Sequence, residues 1–247
     1  MALLSAHKND IGRNKSRQNE DYIWVDDQIG LYIVADGMGG HEAGDVASEL
    51  AATTAGQVVI DQLAGMDHNP PDEVIKSILL EAAEAANQAV YQAAHRAKQK
   101  RKMGTTIVMT LITPTTAYIS HAGDSRAYRL RDGAITQLTE DDTWNTFVRQ
   151  SSGSEVSNPN LESILTKAIG QDAVLDPSFS QVEVVPGDVI LLCSDGLWNM
   201  VDNDQILAEV MKSANQVEQA AQALVEAANA AGGKDNISVV VIKILPS

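Results

Sequence analysis

Short spacing between hydrophobic segments is the feature that most constrains how this chain can fold. Strands are predicted at Tyr22 to Val25, Leu31 to Ala35, Thr106 to Ile112, Ala117 to His121, Arg126 to Arg131, Val182 to Val185, Val189 to Cys193 and Ile237 to Ile244. Several of these segments are separated by only a few turn-forming residues, and Asp132-Gly133 is typical of a hairpin turn. Because such connections are too short to contain a crossover helix, they predict antiparallel strand pairing.

Helical periodicity is confined to a few long segments. Helices are predicted at Gly44 to Leu63, Asp72 to Lys100, Asn203 to Met211 and Gln216 to Ala230. Long helices that are separate from the strands are expected to cover the sheets as layers of their own. No linker or break in composition divides the sequence, and 44% of its residues are apolar. We therefore expect a single domain over residues 1–247.

Charge and composition exclude several classes of protein. The net charge of −15 disfavours binding to nucleic acid or anionic lipid, both of which require a positive field. The sequence has no apolar run long enough to span a membrane, and its first residues lack the features of a signal peptide. Its one cysteine, Cys193, cannot form an internal disulfide. A cytoplasmic location without membrane contact is the resulting expectation.

Four aspartates stand at the ends of predicted strands, beside small or turn-forming residues. A carboxylate in such a place is held by a rigid sheet and faces its open edge. One Asp-Gly pair alone is usually only a turn, but four similar contexts together predict a metal site. Oxygen ligands suit Mg²⁺ or Mn²⁺ better than zinc or copper. The four contexts are VADGMGG for Asp36, HAGDSR for Asp124, LLCSDG for Asp195 and GGKDN for Asp235.

Other phosphate chemistries lack their sequence signatures. A cysteine-based phosphatase requires an arginine five residues after its cysteine, whereas Cys193 lies in the strand-like run VILLCSDG. The P-loop pattern is absent, and Asp202 and Asp204 are better explained as capping residues of a helix than as a phosphoaspartyl motif. The histidines are too scattered to indicate a zinc site. An oxygen-ligated metal site remains.

Six stretches of the sequence, in this order, resemble the bacterial-type PP2C (PPM) family of metal-dependent protein serine/threonine phosphatases. The resemblance implies an α+β fold, a four-layer α/β/β/α sandwich whose two central sheets are mainly antiparallel, with the metals where the sheets open. The stretches are NED at Asn19 to Asp21, VADGMGGHEAG at Val34 to Gly44, MGTT at Met103 to Thr106, AGDSRAY at Ala122 to Tyr128, LLCSDGLW at Leu191 to Trp198 and GGKDNISVVV at Gly232 to Val241.

The resemblance also assigns roles within the metal site. Two Mn²⁺ or Mg²⁺ ions are implied, with a weaker third, and a water bridging the two core ions would attack phosphorus in one step. Asp21 is implied as an outer group that holds metal-bound water in the catalytic centre. The implied ligands are Asp36 as the bridge, the Gly37 carbonyl, Asp195, Asp235, Asp124 for the third ion, and Glu20 through water.

Three positions depart from the family pattern. The phosphate-binding arginine is expected at Ser16, so a one-residue insertion is inferred that favours Arg17 over Arg13. The position of the proton donor in eukaryotic relatives is Met38 here, which leaves His41 or a metal-bound water to protonate the leaving group. The family's usual Asp-His pair reads Asp141-Asp142, just before a turn-prone segment, residues 145–166, that corresponds to a flap beside the active site.

These observations predict a phosphoserine/phosphothreonine protein phosphatase. Its expected substrates are phosphoproteins, either a bacterial serine/threonine kinase or the targets of that kinase, and we expect it to act as a monomer. Two alternatives stay open. One is a module of the same fold that binds phosphoproteins without turnover, and the other is a hydrolase of small phosphoesters.

Overall fold

Two antiparallel β-sheets lie face to face at the centre of the computed structural model, which describes residues 2–13, 18–39, 43–66, 70–96, 103–153, 164–213 and 216–246. The first sheet consists of β1 (Ala2–Asp10), β7 (Arg126–Arg131), β8 (Ala134–Gln137), β10 (Val189–Cys193) and β11 (Ile237–Leu245). Its strand order is β1-β11-β10-β7-β8, and every neighbouring pair is antiparallel.

The second sheet is built in the same manner. It contains β2 (Asp21–Asp26), β3 (Leu31–Met38), β4 (Gly104–Thr105), β5 (Ile107–Ile112), β6 (Thr116–Ala122) and β9 (Ser178–Glu183). The order is β2-β3-β5-β6-β9, with the short β4 paired to the end of β3. Pairing is again antiparallel throughout, as the short connections in the sequence predicted.

Helices cover the outer face of each sheet. The helices α1 (Gly44–Leu63) and α2 (Asp72–Arg96) pack on the second sheet, whereas α4 (Asp195–Trp198), α5 (Asn203–Lys212) and α6 (Val217–Ala230) pack on the first. Small residues bring α1 close to the sheet: a Cβ atom on Gly56 would lie 2.8 Å from the Trp24 indole. A further helix, α3 (Trp144–Ser152), lies between β8 and β9 in the sequence.

Three apolar layers hold these four structural layers together. The middle layer fills the space between the sheets with Val and Ile side chains, among them Val108, Ile190 and Val240, which are fully buried. Burying each such side chain contributes about 1.5–3 kcal/mol. Because strands at the centre are covered on both faces, their sequences are continuous apolar runs and not alternating ones. The predicted α/β/β/α sandwich is thereby confirmed.

Several elements differ from the sequence-based prediction. Strand β9 begins at Ser178, four residues before the predicted strand at Val182 to Val185, and the short β4 and α4 were not predicted. The edge strand β1 was not predicted, because its polar second half, with His7, Lys8 and Asn9, interrupts any apolar pattern. Helix α3 occupies the beginning of the segment that was expected to be irregular, and Thr143 caps it by accepting a hydrogen bond from the Thr146 amide. In the described ranges of the chain, no helix is both long and apolar enough to cross a bilayer.

Candidate metal centre

The predicted aspartates come together at one edge of the sandwich. Asp21 begins β2 and lies directly opposite Asp36 on β3. Asp195 is the first residue of α4, immediately after β10, and Asp124 lies in the turn between β6 and β7. Direct electrostatic interactions join these four residues to one another and to Asp235, which lies just before β11. The carboxylates therefore share one site although the sequence separates them widely.

The main chain of Asp36 is fixed from both sides. Its carbonyl accepts hydrogen bonds from the Thr105 hydroxyl and from the Thr106 amide, each at 2.8 Å. Its amide donates to the Thr106 hydroxyl at 3.0 Å. Both threonines belong to the MGTT stretch, which thus supports the central carboxylate from the neighbouring strands. The direction in which Asp36 projects is set before any ligand binds.

Two close approaches of the main chain bring the ligand-bearing segments together. A Cβ atom on Gly37 would lie 2.1 Å from the Gly44 carbonyl oxygen, and one on Gly196 would lie 1.9 Å from the Asn236 carbonyl oxygen. No side chain fits at either place. Glycine therefore permits the end of β3 to contact the start of α1, and α4 to contact the segment that carries Asp235.

Asp21 joins the two sheets at this edge. Its Oδ2 atom accepts a 2.7 Å hydrogen bond from the hydroxyl of Ser194, which follows β10 in the other sheet. The Ser194 hydroxyl in turn accepts one from the Ser238 amide at 3.0 Å. Among the described residues, the buried Oδ1 atom of Asp21 has no hydrogen-bond partner. A buried carboxylate oxygen without a partner costs free energy, so this atom indicates a polar group that the site is built to receive.

The turn that carries Asp124 is anchored on both sides. The Trp198 indole donates to the Asp124 carbonyl at 3.0 Å, and the preceding Gly123 amide donates to the Asp142 carboxylate at 3.1 Å. The Arg126 guanidinium lies 3.6 Å from the centre of the Trp198 ring. Arg126 also makes a bidentate pair with Asp141, at 2.9 and 2.7 Å. The Arg126 guanidinium, fixed by its pair with Asp141, thus stacks on the Trp198 indole, and the indole holds the main chain of Asp124.

Burial and mutual repulsion raise the pKa values of the clustered carboxyl groups. Burial raises the pKa of Asp21 to about 7, opposed by the Ser194 and Ser238 hydroxyls and increased by the charges of Asp195 and Asp235. The pKa of Asp124 also rises to about 7, through burial and then the charge of Asp195. Burial and the charge of Asp235 raise the pKa of Asp195 to about 6. Without a cation, these groups cannot all be ionised at neutral pH at low cost.

The pKa of Asp36 rises most clearly of all, well above its ordinary value. Removal from water is the largest cause, followed by the charges of Asp21 and Asp195. Asp36 as a residue is partly exposed, although its carboxyl group is largely removed from water. A carboxyl group that is costly to ionise next to other carboxylates favours the binding of a cation.

The residues present fit a divalent cation with oxygen ligands. Within the described ranges, Asp21, Asp36, Asp124 and Asp195 form no direct ion pair with a lysine or arginine, so their charge is left for another partner. No three His, Cys, Asp or Glu side chains of the described residues are arranged to hold an ion by themselves. An ion bound at this edge would need main-chain carbonyls or water in its shell, which Mg²⁺ readily accepts.

Glu20 lies beside this edge, and hydrogen bonds fix its main chain there. Its amide donates to the Asn236 side chain at 2.8 Å, and its carbonyl accepts from the Gly37 amide at 3.1 Å. A Cβ atom on Gly44 would lie 2.6 Å from the Glu20 Oε2 atom, so the side chain packs over the first residue of α1. The Glu20 main chain therefore lies against Gly37, and the role of Glu20 as an outer ligand stays a prediction.

The predicted phosphate-binding and proton-donating residues are only partly described. Arg17 and His41 lie outside the described residues, so both assignments stay predictions. Arg13 is exposed, and its Nε atom donates to the Asn229 carbonyl at 2.8 Å. Its amide donates to the Gly233 carbonyl at 2.8 Å. Arg13 thus lies beside the loop that leads to Asp235, with one side of its guanidinium engaged by the end of α6.

Sequence analysis did not identify the neutral residues that support the carboxylates. Ser194 holds Asp21, Trp198 holds Asp124, and Asn236 bridges the Glu20 amide and the Ile11 carbonyl at 2.8 and 3.2 Å. All three residues lie inside the motifs that were singled out for their aspartates. Their position next to ligands was the available signal, because groups that orient metal ligands commonly lie close to them.

Comparisons with known proteins agree on one family. Residues 8–229 match the family model described as protein phosphatase 2C. The chain is 33% identical to the serine/threonine phosphatase Stp of Listeria monocytogenes over 94% of this chain and 91% of that protein. It is 32% identical to the crystal structure of the Mycobacterium tuberculosis serine/threonine phosphatase PstP/Ppp, with a TM-score of 0.83 and all of both chains covered. A structure of the PstP catalytic domain in complex with two manganese ions is 33% identical, with a TM-score of 0.80 and 99% of both chains covered.

Proposed function

The chain belongs to the protein phosphatase 2C family and is a protein serine/threonine phosphatase, and from this premise we propose how its residues perform the hydrolysis. The observation that carries the proposal is a group of four aspartates with raised pKa values, none of them ion-paired to a lysine or arginine among the described residues. The four are Asp21, Asp36, Asp124 and Asp195. Such a group is suited to holding divalent ions in place for phosphoryl chemistry.

We propose that Asp36 would be the shared ligand of two divalent cations, Mn²⁺ or Mg²⁺. The Gly37 carbonyl would complete one shell with help from Glu20 through water, and Asp195 and Asp235 would hold the other ion. Asp124 would hold a weaker third. The related PstP domain with its two manganese ions supports two core ions. When bound, the ions supply an activated water and neutralise charge on the phosphoryl oxygens.

The chain's own residues orient the reactants. The Asp21 carboxylate would orient the attacking water toward phosphorus for hydrolysis in one step. A guanidinium, of Arg17 or Arg13, would bind two phosphate oxygens and fix the direction of attack. His41 would donate a proton to the serine or threonine oxygen as it leaves.

The first experiment is phosphate release from a phosphothreonine peptide with Mn²⁺, Mg²⁺ or chelator. Asp36→Asn keeps the size of the side chain but removes its charge, and we expect it to abolish metal-dependent release. Asp132→Asn is the matched control, because it makes the same change in a hairpin turn, where Asn tolerates the positive φ of 52°. Release that persists in Asp36→Asn would contradict the bridging role. Release from small phosphoesters but not from phosphopeptides would favour the alternative substrate class.

We further propose that the substrates are phosphoproteins, namely a bacterial serine/threonine kinase or its targets, and that the enzyme acts as a monomer in the cytoplasm. A single catalytic domain over residues 1–247 is part of this proposal, with residues 145–166 beside the active site. The single cysteine, Cys193, which is buried in β10, supports a reducing compartment.

A further inference from the structure

Asp142 connects three segments of the chain next to Asp124. Its carboxylate Oδ2 atom accepts the Gly123 amide at 3.1 Å, and its own amide donates to the Gly123 carbonyl at 3.0 Å. Its carbonyl accepts the Thr166 amide at 2.7 Å. Both hydrogen-bonding groups of Gly123, the residue immediately before Asp124, are therefore satisfied by one residue. Asp142 also fastens the returning segment near Thr166 to the same turn.

Lys167 holds the Asp142 side chain in this orientation. Its Nζ atom lies 3.5 Å from the Asp142 Oδ1 atom and donates to the Ser178 hydroxyl at 3.1 Å. The His121 Nε2 atom is 4.0 Å from Asp142 and 2.9 Å from the Glu140 carbonyl. The Asp142 side chain is only 11% exposed, so these few groups and not water determine the orientation of its carboxylate.

A purely structural role for Asp142 is poorly supported by its surroundings. The cap of α3 is Thr143, so the helix does not require Asp142. Gly123 has φ +108° and packs closely on Thr106. A Cβ atom on Gly123 would lie 2.7 Å from the Thr106 Cγ2 atom. The turn therefore has little freedom to shift by itself. The Asp142 carboxylate holds the peptide before Gly123, and the Asp142 amide holds the peptide between Gly123 and Asp124. Trp198 holds the peptide after Asp124.

We propose that Asp142 is a positioning residue for Asp124, and that Lys167 keeps Asp142 in place. The inference rests on the proposed function, because it assigns Asp124 to the weaker metal. Loss of the acceptor frees the peptide before Gly123, and we expect this to loosen the turn that carries the Asp124 carboxylate, although the bonds from the Asp142 amide and the Trp198 indole remain. Residues that orient metal ligands typically change metal affinity or activity by about 10- to 100-fold when they are mutated. We expect mutation of Asp142 to change the metal affinity by a factor in this range.

The test compares five variants of the full chain. Asp142→Ala removes the acceptor, Asp142→Asn keeps an acceptor without charge, and Lys167→Met removes the cation that Lys167→Arg retains. Lys212→Met is the control, because it removes another lysine from an ion pair, with Glu209 on α5, at 2.8 Å. We would measure the Mn²⁺ concentration for half-maximal activity, kcat and KM for a phosphopeptide, and hydrogen exchange of the Gly123 amide in metal-free protein.

Asp142→Ala is expected to raise the required Mn²⁺ concentration about 10-fold or more with KM unchanged, and to speed exchange of the Gly123 amide. Lys167→Met should do the same to a smaller extent, and Lys167→Arg should restore both values. The control should match the native chain.

Unchanged exchange and Mn²⁺ requirement in Asp142→Ala would overturn the proposal, as would a rise in KM alone. If Asp142→Ala does not fold, the Asp142→Asn and Lys167 variants decide between these outcomes. An inactive native chain would instead refute the proposed function, while the exchange measurement would still test the restraint on Gly123.

Discussion

Buried carboxylates in two regions of this molecule differ in whether a cationic side chain is paired with them. Asp188, 1% exposed, receives the Arg131 guanidinium through two hydrogen bonds of 2.7 Å and the Val185 amide at 3.0 Å. Asp21 and Asp124 are 6% and 8% exposed, and neither is paired with a lysine or arginine in the part of the chain that the structure describes. Since burial is similar, burial alone does not distinguish the two sets. The two sets are distinguished by their partners, because an arginine permanently compensates the charge of a buried carboxylate.

The comparison indicates which carboxylates stabilise the fold and which serve the reaction. The Arg131–Asp188 pair ties β7 to the segment before β10 within the first sheet. The carboxylates at the open edge repel one another, and the fold tolerates their repulsion because the sheets around them are well packed. Natural proteins commonly accept lower stability at functional sites in this way. Four predictions test this division.

The largest effect is expected on activity at the open edge. Asp36→Asn should lower phosphatase activity by at least about 100-fold, since it replaces the carboxylate proposed to bridge the two cations with a neutral amide. The same change removes one of the repelling charges, so the metal-free protein should become more stable and not less. Steady-state kinetics and urea unfolding with chelator measure the two effects. A variant that lost activity because it had unfolded would not support the division.

A large effect on stability is expected at the other set. Arg131→Met should destabilise the protein by about 3 kcal/mol, because it leaves the buried Asp188 charge without its partner. The Mn²⁺ concentration for half-maximal activity should remain that of the native chain. Urea unfolding and Mn²⁺ titration of activity check both points. A changed metal requirement would show that the two sets are coupled.

The pH dependence of stability should distinguish the metal-free from the metal-loaded protein. The raised pKa values of Asp21 and Asp124, about 7, mean that the folded state binds more protons than the unfolded state, whose carboxyl groups titrate near about 4. Stability of the metal-free protein should therefore fall as the pH rises from about 5 to about 8. Saturating Mn²⁺ should reduce this slope. Equilibrium unfolding at several pH values, with and without chelator, measures it, and Asp124→Asn should flatten the slope in chelator.

The smallest effect is expected from a neutral support of the site. Trp198→Phe keeps a ring beneath Arg126 but removes the hydrogen bond to the Asp124 carbonyl. A loss of about 1 kcal/mol in stability is expected for one such bond. The Mn²⁺ requirement should rise, because the peptide that carries Asp124 is freed on one side. Thermal unfolding and Mn²⁺ titration test this, and an unchanged requirement would assign the indole to packing alone.

Residues that depend on local pattern were predictable from the sequence. Asp36 and Asp195 were singled out because each follows a continuous apolar run, and the structure places these runs in β3 and β10. Antiparallel sheets covered by helices followed from the short connections and the long helices, whereas the order of the four layers came from the family resemblance. These features depend on residues that are close in sequence, so periodicity and turn-forming residues are enough to predict them.

Long-range partners could not be predicted in this way. The bond between Asp21 and Ser194 joins residues 173 positions apart, and pairing of β1 with β11 joins the two ends of the chain. Such contacts depend on tertiary packing, which no local pattern encodes. The Asp142 contacts to Gly123 and Lys167 were missed for the same reason, although Asp142 was noticed as a departure from the family pattern.

The close approach at Gly196 has a consequence for how this enzyme can change over time. With no room for one additional carbon atom between Gly196 and the Asn236 carbonyl, the separation of Asp195 and Asp235 is fixed by contact between two main chains. Side chains of the core can be exchanged, and the stability of the fold can drift, without altering that separation. The spacing of the ligands is thereby insulated from most mutations, so surfaces and substrates can diverge around a metal geometry that stays the same.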